Sequence, residues 1–368
     1  MSDSESTRAV VLGAAGTDPE VVEVPLAPLT RTGVRVRVAA AGVCHSDLSM
    51  VDGTMSPGFP LVLGHEASGT ITAVGPEVED VAVGDRVVLN WAPACRRCWF
   101  CLHGEPWLCR RVEGVVSTPS GRSWRGEELQ DLLGVGAFAE TVVVDQRAVV
   151  PLPDGVGLDV AAVLGCAALT GTGAVWNTAR VRPGDSVLVI GLGGIGLCAV
   201  AAARLAGAST IIGVDTSEAK ADLAATMGAT DYLVSAPRLR RSVAALTGGR
   251  GVDHAVECVG SSRTIRAAWE SVRRGGTCTV VGVGRRDDMV EISAMESYYF
   301  AKTLTGSVFG SSDPARDVPT LAAHIASGRL DLSPLITHRD SLDGVGAAFE
   351  RMRHGVGGRS LLEIGTSS

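Results

Sequence analysis

Short runs of alternating apolar and polar residues dominate the first 150 residues of the chain. Residues 34–39 alternate valine with arginine, residues 70–74 and 86–89 are rich in β-branched side chains, and Gly-Pro, Pro-Gly and Gly-Asp pairs separate such runs. Alternation with period two between turn residues is typical of strands with one buried face. The pattern therefore predicts a mostly β region with few helices.

From about residue 167 the pattern changes to apolar strands separated by Gly-rich turns and Ala-rich helices. This order is typical of a parallel sheet with helices on its faces. The predicted strands are 186–190, 210–214, 254–258 and 277–283, and the predicted helices are 195–205, 218–227 and 264–272. Two more helices, predicted at 317–327 and 345–352, need not belong to that sheet. The chain is therefore predicted to be an α/β protein.

A glycine motif, Gly191-Leu192-Gly193-Gly194-Ile195-Gly196, joins the strand at 186–190 to the helix that follows it. Its first glycine permits a tight turn, the second lets backbone approach a pyrophosphate, and the third lets helix and strand pack closely. Asp215 ends the next strand and is expected to bind the adenosine ribose hydroxyls, which favours NAD over NADP. Lys220 either reaches the same ribose or is solvated on a helix face.

Four of the nine cysteines, Cys95, Cys98, Cys101 and Cys109, lie within fifteen residues. Four thiolates at such spacings can close a tetrahedral shell around a structural zinc ion. An iron–sulfur cluster is the alternative. His103 lies inside this segment but has no coordination position left to fill.

Cys44, His65 and Cys166 are candidates for a second metal site. Taken singly, each residue is more often a buried cysteine or a hydrogen-bonded histidine than a ligand. Two cysteines and a histidine that leave the fourth position to water or substrate are nonetheless a known catalytic zinc shell. Spacing in sequence does not establish that these three residues meet.

Composition and charge narrow the class of protein. The 368 residues carry a net charge of −7, so no basic surface for nucleic acid or an anionic membrane is expected, and a small-molecule partner is favoured. The polar N-terminus shows no signal peptide, and no apolar run reaches membrane-spanning length. Nine unevenly placed cysteines do not suit a secreted disulfide framework. These observations predict a cytoplasmic protein.

Taken together, these motifs resemble the zinc-dependent alcohol dehydrogenases of the medium-chain dehydrogenase/reductase superfamily. The resemblance covers nearly the whole chain and rests on 42–47 (Gly-Val-Cys-His-Ser-Asp), 64–66 (Gly-His-Glu), the four cysteines, Gly165-Cys166 and the glycine motif. It implies a mostly β, GroES-like catalytic domain formed by 1–167 and 309–368, and a Rossmann domain with a doubly wound parallel sheet at 168–308. It also implies two zinc ions per chain and NAD.

The resemblance assigns roles to individual residues. Cys44, His65 and Cys166 would ligate the catalytic zinc, with Glu66 as an occasional alternative ligand and Asp47 orienting His65. Zinc would favour the deprotonated alcohol, whose carbon then releases hydride to the nicotinamide.

Further roles concern the proton and the coenzyme. Ser46 would pass on the alcohol proton, although Ser49 stands where some relatives carry the histidine that ends this relay. His45 and Arg359 would hold the coenzyme pyrophosphate, and Val283 falls near the coenzyme. The residues that the family places along its substrate channel are Trp91, Phe138, Val283 and Val308.

The resemblance implies an NAD-dependent alcohol dehydrogenase that forms a homodimer or homotetramer through an edge strand at 303–309. The nearest branch, the class III-like glutathione-dependent formaldehyde dehydrogenases, makes a hydroxymethyl-thiol adduct an alternative substrate. Met55 and Glu113 occupy the neighbourhoods of that branch's glutathione anchors, and Glu113 has the wrong charge. A non-redox step in a specialised pathway and a binding protein without turnover are further alternatives.

Overall fold

The computed structural model describes residues 5–55, 57–235 and 238–365. In chain order its strands are β1 (Ser6–Leu12), β2 (Glu20–Pro25), β3 (Gly33–Gly42), β4 (Leu61–Val62), β5 (Ala67–Val74), β6 (Arg86–Leu89), β7 (Ser117–Trp124), β8 (Glu127–Leu132), β9 (Thr141–Asp145), β10 (Val149–Pro151), β11 (Ser186–Ile190), β12 (Thr210–Asp215), β13 (Asp231–Val234), β14 (Val252–Glu257), β15 (Val272–Val280), β16 (Thr303–Gly306), β17 (Ile336–Asp340) and β18 (Arg359–Glu363). Its α-helices are α1 (His45–Val51), α2 (Trp99–Leu102), α3 (Leu158–Ala162), α4 (Ala167–Gly173), α5 (Gly194–Leu205), α6 (Ala221–Met227), α7 (Leu239–Leu246), α8 (Ser262–Ser271), α9 (Ala294–Phe300), α10 (Pro314–Ala326) and α11 (Val345–Arg353).

The chain forms two compact units. The first unit contains the described residues up to Cys166 together with Asp313–Ser327 and the residues from Ile336 onward, and the second contains Ala167–Ser312 and Gly328–Leu335. Three stretches that the prediction assigned to the first domain, residue 167, residues 309–312 and residues 328–335, lie in the second unit. Leu332 and Leu335 are buried, and the turn at Ser333–Leu335 packs on α5 and α6, which explains why the last of these stretches belongs to the second unit.

The first unit is built on two sheets. One has the order β2-β1-β4-β8-β7, and the other has the order β10-β6-β5-β3-β18-β17, with β9 also paired to β3. In β3 the side chains of Val34, Val36 and Val38 are buried in the core of this unit, whereas Arg37 is exposed. The alternation in the sequence therefore predicted the buried face of this strand correctly.

The second unit contains a six-stranded parallel sheet of order β13-β12-β11-β14-β15-β16. Its central strand β11 is buried along 187–190, as expected for a strand covered on both sides. The strand order reverses direction at β11, which leads through the glycine motif into α5. This is the edge at which doubly wound sheets bind ligands.

Between β3 and β4, the candidate segment at 42–47 contains the start of α1 at His45. The boundaries of two predicted strands differ from the structure. The predicted edge strand at 303–309 ends at Gly306, and residues 308–311 form a short helical turn in which Phe309 and Gly310 adopt left-handed backbone conformations. The strand predicted at 277–283 already starts at Val272, directly after α8.

No single helix among the described residues is both long enough and apolar enough to cross a membrane. The consecutive helical segments at 158–165 and 167–179 meet that length and composition only when they are taken together.

Candidate active site and metal centres

One buried carboxylate connects the segments that carry Cys44 and His65. Asp47 is the third residue of α1, and its Oδ2 accepts a hydrogen bond from the backbone N–H of Cys44 at 2.9 Å. Its Oδ1 accepts from the backbone N–H of Gly64 at 3.0 Å and from Nδ1 of His65 at 3.2 Å. A hydrogen bond at Nδ1 leaves Nε2 of His65 as the nitrogen that can ligate a metal.

Gly64 is required by the packing around this segment. Its φ is +92°, and a Cβ atom built on it would lie 2.4 Å from the ring of Phe138, which is completely buried. A larger residue would push β4 away from this core and displace His65.

Cys44, His65 and Cys166, predicted only from the resemblance, meet in the structure. One ligand atom from each lies within 4.8 Å of the other two, and all three residues are buried. Nε2 of His65 is buried and has no hydrogen-bond partner among the described residues. A buried polar nitrogen without a partner requires an explanation, and a metal ion shared with two thiols supplies one. The three side chains therefore fit zinc.

The electrostatics of this group also favour a cation. A hydrogen bond from the Cys166 thiol lowers the pKa of Cys44 well below its usual value in spite of burial, and the charge of Arg359 acts in the same direction. The same hydrogen bond and burial raise the pKa of Cys166. Burial alone would lower the pKa of His65, but Asp47 and Cys44 together outweigh it and raise that pKa. A divalent ion can replace the protons that these groups share.

A buried ion pair, Glu66 with Arg359, lies beside the three donors. Nε of Arg359 donates to Oε1 of Glu66 at 2.9 Å, and a terminal guanidinium nitrogen bonds Oε2. Burial raises the pKa of Glu66, and Arg359 offsets part of this effect. A Cβ atom on Gly42 would lie only 2.0 Å from Oε1 of Glu66, so a side chain there would displace the carboxylate. Glu66, the predicted alternative zinc ligand, is thus paired with Arg359. The predicted contact of Arg359 with the coenzyme pyrophosphate stays a prediction.

The predicted proton-transfer residues lie on α1. Ser46 Oγ is 3.9 Å from Sγ of Cys44, Ser46 is partly exposed, and His45 is exposed. Ser49 follows Ser46 by three residues and therefore lies on the same face of the helix. The next side chain along that face is therefore the hydroxyl of Ser49, which is not a base that could take up the proton.

The four-cysteine group surrounds α2. The Sγ atoms of Cys98 and Cys101 are 3.5 Å apart, and the pairs Cys98–Cys109 and Cys95–Cys101 are each 4.0 Å apart. Four sulfurs bound tetrahedrally at the usual zinc–sulfur distance are roughly 3.8 Å apart. His103 instead bonds the carbonyl of Trp99 and stacks on its ring. The group therefore fits a closed four-sulfur zinc shell.

Backbone N–H groups point at these thiols. The N–H of Cys95 donates to Sγ of Cys109 at 3.2 Å, and that of Cys98 donates to Sγ of Cys95 at 3.3 Å. Backbone N–H groups of Cys101 and Arg110 lower the pKa of Cys98 to about 6, whereas burial and the Cys98 thiol raise the pKa of Cys101 to about 12. The backbone thus stabilises thiolate at this group.

An ion pair ties the four-cysteine segment to α10. Two guanidinium nitrogens of Arg96 each lie 2.6 Å from a carboxylate oxygen of Asp313. Asp313 is also the N-cap of α10 and accepts from the backbone N–H of Ala315. This contact is not evident from sequence, because the two residues are more than two hundred positions apart.

The glycine motif of the second unit has the geometry of a phosphate cradle. Gly191 has φ +89°, and a Cβ on Gly196 would lie 1.9 Å from the carbonyl oxygen of Gly191. Apart from its immediate chain neighbours, no described residue has a heavy atom within 4 Å of a Cβ built on Gly193, the N-cap of α5, so this side of the loop is open. The N–H groups of Gly194, Ile195 and Gly196 begin the helix, where anions bind. The motif fits the pyrophosphate of a dinucleotide.

Asp215 lies beside this loop at the end of β12. Its Oδ2 accepts from the backbone N–H of Leu192 at 2.8 Å and from Nζ of Lys220 at 3.3 Å. Lys220 is buried, not solvated on a helix face. Val283, on the loop after β15, is 83% exposed, so its side chain is accessible to a ligand.

Glu257, which the sequence analysis missed, is a fully buried carboxylate at the same edge of the sheet. Oε1 accepts from the backbone N–H groups of Val259 and Gly260 at 2.8 and 2.9 Å and from the hydroxyl of Thr264 at 2.8 Å. It thus ties down the loop after β14. The sequence did carry a signal for it, because Glu257 is an acidic residue at the end of an apolar strand that the pattern assigns to a parallel sheet.

Two protein families match this chain. The family described as "Alcohol dehydrogenase GroES-like domain" matches residues 30–154, and "Zinc-binding dehydrogenase" matches residues 194–327. The first match contains Cys44, His65 and the four-cysteine group. The predicted combination of a GroES-like domain with a Rossmann sheet is confirmed.

Individual relatives match over the whole length. The S-(hydroxymethyl)glutathione dehydrogenase of Synechocystis sp. is 35% identical over 367 residues, which covers 97% of this chain and 99% of that protein. Among solved structures, the alcohol dehydrogenase zinc-binding domain protein from Burkholderia ambifaria has a TM-score of 0.91 at 31% identity, with 98% and 99% of the two chains covered. The benzyl alcohol dehydrogenase from Acinetobacter calcoaceticus has a TM-score of 0.91 at 30% identity and the same coverage.

Proposed function

The chain belongs to the zinc-dependent alcohol dehydrogenase family, and on this premise we propose which of its residues carry out the reaction. The protein is an oxidoreductase that transfers a hydride between an alcohol, or the corresponding carbonyl compound, and NAD. Its cofactors are zinc and NAD. Cys44, His65 and Cys166 are the proposed ligands of the catalytic zinc, and the four-cysteine group is the proposed structural site.

The buried, unpartnered Nε2 of His65 beside two thiols is the observation that carries this proposal. Asp47 accepts the Nδ1 proton and so keeps the lone pair on Nε2, where a metal binds. Two sulfurs and one nitrogen leave a fourth position for substrate. Bound zinc supplies a Lewis acid that favours the deprotonated alcohol.

Ser46 is proposed to receive the hydroxyl proton of the alcohol and to donate its own proton onward. Its hydroxyl is close to Cys44 and partly exposed, so it can contact both a substrate and solvent. Ser49 on the same helix face has no basic side chain to end the relay, so we propose that water accepts the proton there. We expect proton release to be slower than with a histidine at this position.

The coenzyme is proposed to bind the second unit through the glycine motif and Asp215. The N-terminus of α5 faces the pyrophosphate, and Asp215 with Lys220 binds the adenosine ribose. Val283 is proposed to contact the nicotinamide half of the coenzyme. His45 and Arg359, in the first unit, are proposed to contact the pyrophosphate.

The substrate class proposed first is an alcohol with an apolar body, because three of the family's channel positions hold Trp91, Val283 and Val308. Phe138, at the fourth of these positions, is completely buried in the core of the first unit and does not support this class. A benzyl alcohol dehydrogenase is among the similar structures and supports this class. A hydroxymethyl-thiol adduct is the second candidate, because the Synechocystis relative is an S-(hydroxymethyl)glutathione dehydrogenase. Glu113 would repel a glutathione carboxylate, which ranks this candidate below the first.

We further propose a homodimer or homotetramer that pairs through β16 in a cytoplasmic compartment. β16 is the edge strand of the six-stranded sheet, and Leu304 on it is partly exposed, so its backbone can pair with a second copy. None of the nine cysteines forms a disulfide bond. Six of them belong to the two metal-ligand groups, and Cys198 and Cys278 are buried, which suits a reducing environment.

A screen of NADH formation tests the substrate proposal. The zinc-loaded protein would be given primary, secondary, benzylic and polyol alcohols and S-hydroxymethylglutathione with NAD, and absorbance of NADH followed. We expect the highest kcat/KM with benzylic or long-chain alcohols. A preference for S-hydroxymethylglutathione would establish the second candidate instead. Product formation without net NADH, from any substrate, would contradict an overall redox function.

A further inference from the structure

A hollow of about 200 Å³ lies at the amino ends of β14, β15 and β16 in the second unit. The glycine motif follows the carboxyl end of β11, so the hollow lies at the opposite edge of the sheet from the coenzyme cradle. Its walls carry six cationic side chains. These are Arg240, Arg250, Arg266, Arg273, Arg274 and Lys302.

Carboxylates neutralise only part of this charge. Glu270 and Glu296 also line the hollow, and both pair with Arg266, at 2.9 and 2.6 Å. Arg273 pairs with Asp253 at 2.5 Å. The other four cations have no carboxylate partner within 4 Å among the described residues. This surplus is notable because the whole chain has a net charge of −7.

Two of the four cations without a carboxylate partner, Lys302 and Arg274, are held in place by neutral groups. Nζ of Lys302 donates to the carbonyl of Trp269 at 2.7 Å, and the guanidinium of Arg274 donates to the carbonyl of Tyr299 at 3.2 Å and lies over its ring. These contacts fix the cations without neutralising them. Burial lowers the pKa of Lys302, and the charge of Arg240 acts in the same direction, against the opposing charges of Glu296 and Glu270.

We propose that this hollow binds a compact phosphate-bearing anion. Guanidinium groups present paired N–H donors that match phosphate oxygens, and a bound anion would offset the like charges of Arg240 and Lys302. The volume suits a phosphate or pyrophosphate group, and the ring of Phe300 offers an apolar wall for a small organic substituent. The coenzyme itself is excluded as the ligand because dinucleotides bind the carboxyl edge of such a sheet.

Binding would connect three elements of the second unit. Arg240 lies on α7, Arg250 on the loop before β14, and Lys302 directly before β16. An anion that contacts all three would bind the folded unit and not the unfolded chain, and so would raise its thermal midpoint. The expected ligand classes are inorganic pyrophosphate and a phosphate monoester, which share the same recognition chemistry.

Titration calorimetry and thermal unfolding at constant ionic strength test the site. The zinc-loaded protein would be saturated with NADH, so that the coenzyme cradle is filled, and then titrated with pyrophosphate, phenyl phosphate or sodium chloride. We expect one pyrophosphate per chain and a rise in the thermal midpoint that chloride does not produce. Phenyl phosphate binding more tightly than pyrophosphate would identify an organic ester as the ligand class.

Arg240 and Arg241, which are neighbours on α7, provide a test variant and its matched control. Arg240→Gln should weaken pyrophosphate binding about tenfold, because it removes one charge-assisted contact, and Arg250→Gln on the loop before β14 should have the same effect. Arg241→Gln, one position along α7 but outside the lining, should bind as the parent does. Dehydrogenase activity and the midpoint without anion verify that each variant is folded.

Three outcomes would overturn the proposal. The first is that saturating NADH abolishes pyrophosphate binding, which would place the anion in the coenzyme cradle. The second is an equal loss of affinity in Arg240→Gln and Arg241→Gln, which would indicate only a general charge effect. The third is binding of a single-stranded oligonucleotide without binding of pyrophosphate, because an extended anion is not the compact one proposed.

Discussion

The two thiol groups of the first unit use the same ligand chemistry in opposite ways. Cys44, His65 and Cys166 come from three separate segments and are all buried, whereas the four-cysteine group comes from one segment and is partly exposed. Three donors leave a position for a substrate, and four donors leave none. Both groups contain cysteines, so the difference shows that the capacity of a site to bind substrate depends on an open fourth position and on burial, and not on the presence of cysteine ligands.

The two groups also differ in what positions their donors. A carboxylate, Asp47, holds the segments of Cys44 and His65 together, whereas backbone N–H groups hold the thiols of Cys95 and Cys109. Any tight loop can supply backbone N–H donors, but a buried carboxylate can position metal ligands only if the fold brings their segments next to it. The first group therefore depends on the core of the unit, and the second depends on its own loop.

Removal of one donor from the three-residue group should have the largest effect. We expect Cys44→Ser to lower kcat/KM for alcohol oxidation on the order of 10³-fold, because the Lewis acid is worth several kcal/mol in the transition state. Metal analysis of the purified variant should give one zinc per chain instead of two. Cys258→Ser, in the second unit, is the matched control and should retain both ions. Parental activity in folded Cys44→Ser would refute the proposed ligand.

Removal of one donor from the four-cysteine group should affect stability instead. Cys101→Ala opens the shell, and because structural zinc contributes folding free energy, we expect the free energy of unfolding to fall by several kcal/mol. The specific activity of the remaining folded protein should stay within a few-fold of the parent. Chemical denaturation and steady-state kinetics on the same sample separate these effects. A thousandfold loss of kcat at unchanged stability would reverse the assignment of the two groups.

Replacement of the positioning carboxylate should give an intermediate effect. Asp47→Asn can still accept a hydrogen bond but loses the charge that orients His65, so we expect a 10- to 100-fold loss of zinc affinity at this group. Competition with a chelator measures that affinity directly. Zinc in the four-cysteine group should be retained with parental affinity. An equal weakening of both groups would show that Asp47 maintains only the general fold.

Replacement of the carboxylate that anchors the four-cysteine segment should have the smallest effect. The pair of Arg96 and Asp313 is partly exposed, so Asp313→Asn should cost about 1 kcal/mol or less, and high salt should reduce the difference. Burial alone would raise the pKa of Asp313, but Arg96, with the backbone N–H of Ala315 and the charge of Arg316, outweighs it and lowers that pKa. The pair therefore stabilises the fold above the ordinary carboxyl pKa, and this stability is lost as the pH falls through the lowered value. A salt-independent loss would contradict an ionic anchor.

Much of the fold was predictable because its signals are local. The alternation at 34–39 predicted the buried face of β3, and the glycine motif predicted the turn between β11 and α5. The turn at 308–311, which replaces the predicted end of the edge strand, was not predictable because it depends on packing against a distant segment: a Cβ on Gly310 would lie 2.3 Å from the carbonyl oxygen of Leu169.

The sequence by itself determined the features whose partners lie within one turn or loop. The four cysteines and the glycine motif belong to this class, because a short chain can reach only a few arrangements around a metal ion or a phosphate. Tertiary structure alone decided the meeting of Cys44, His65 and Cys166, the pairing of Glu66 with Arg359, and the cationic hollow. Their distances depend on how the sheets pack, and burial then sets the charge of each group.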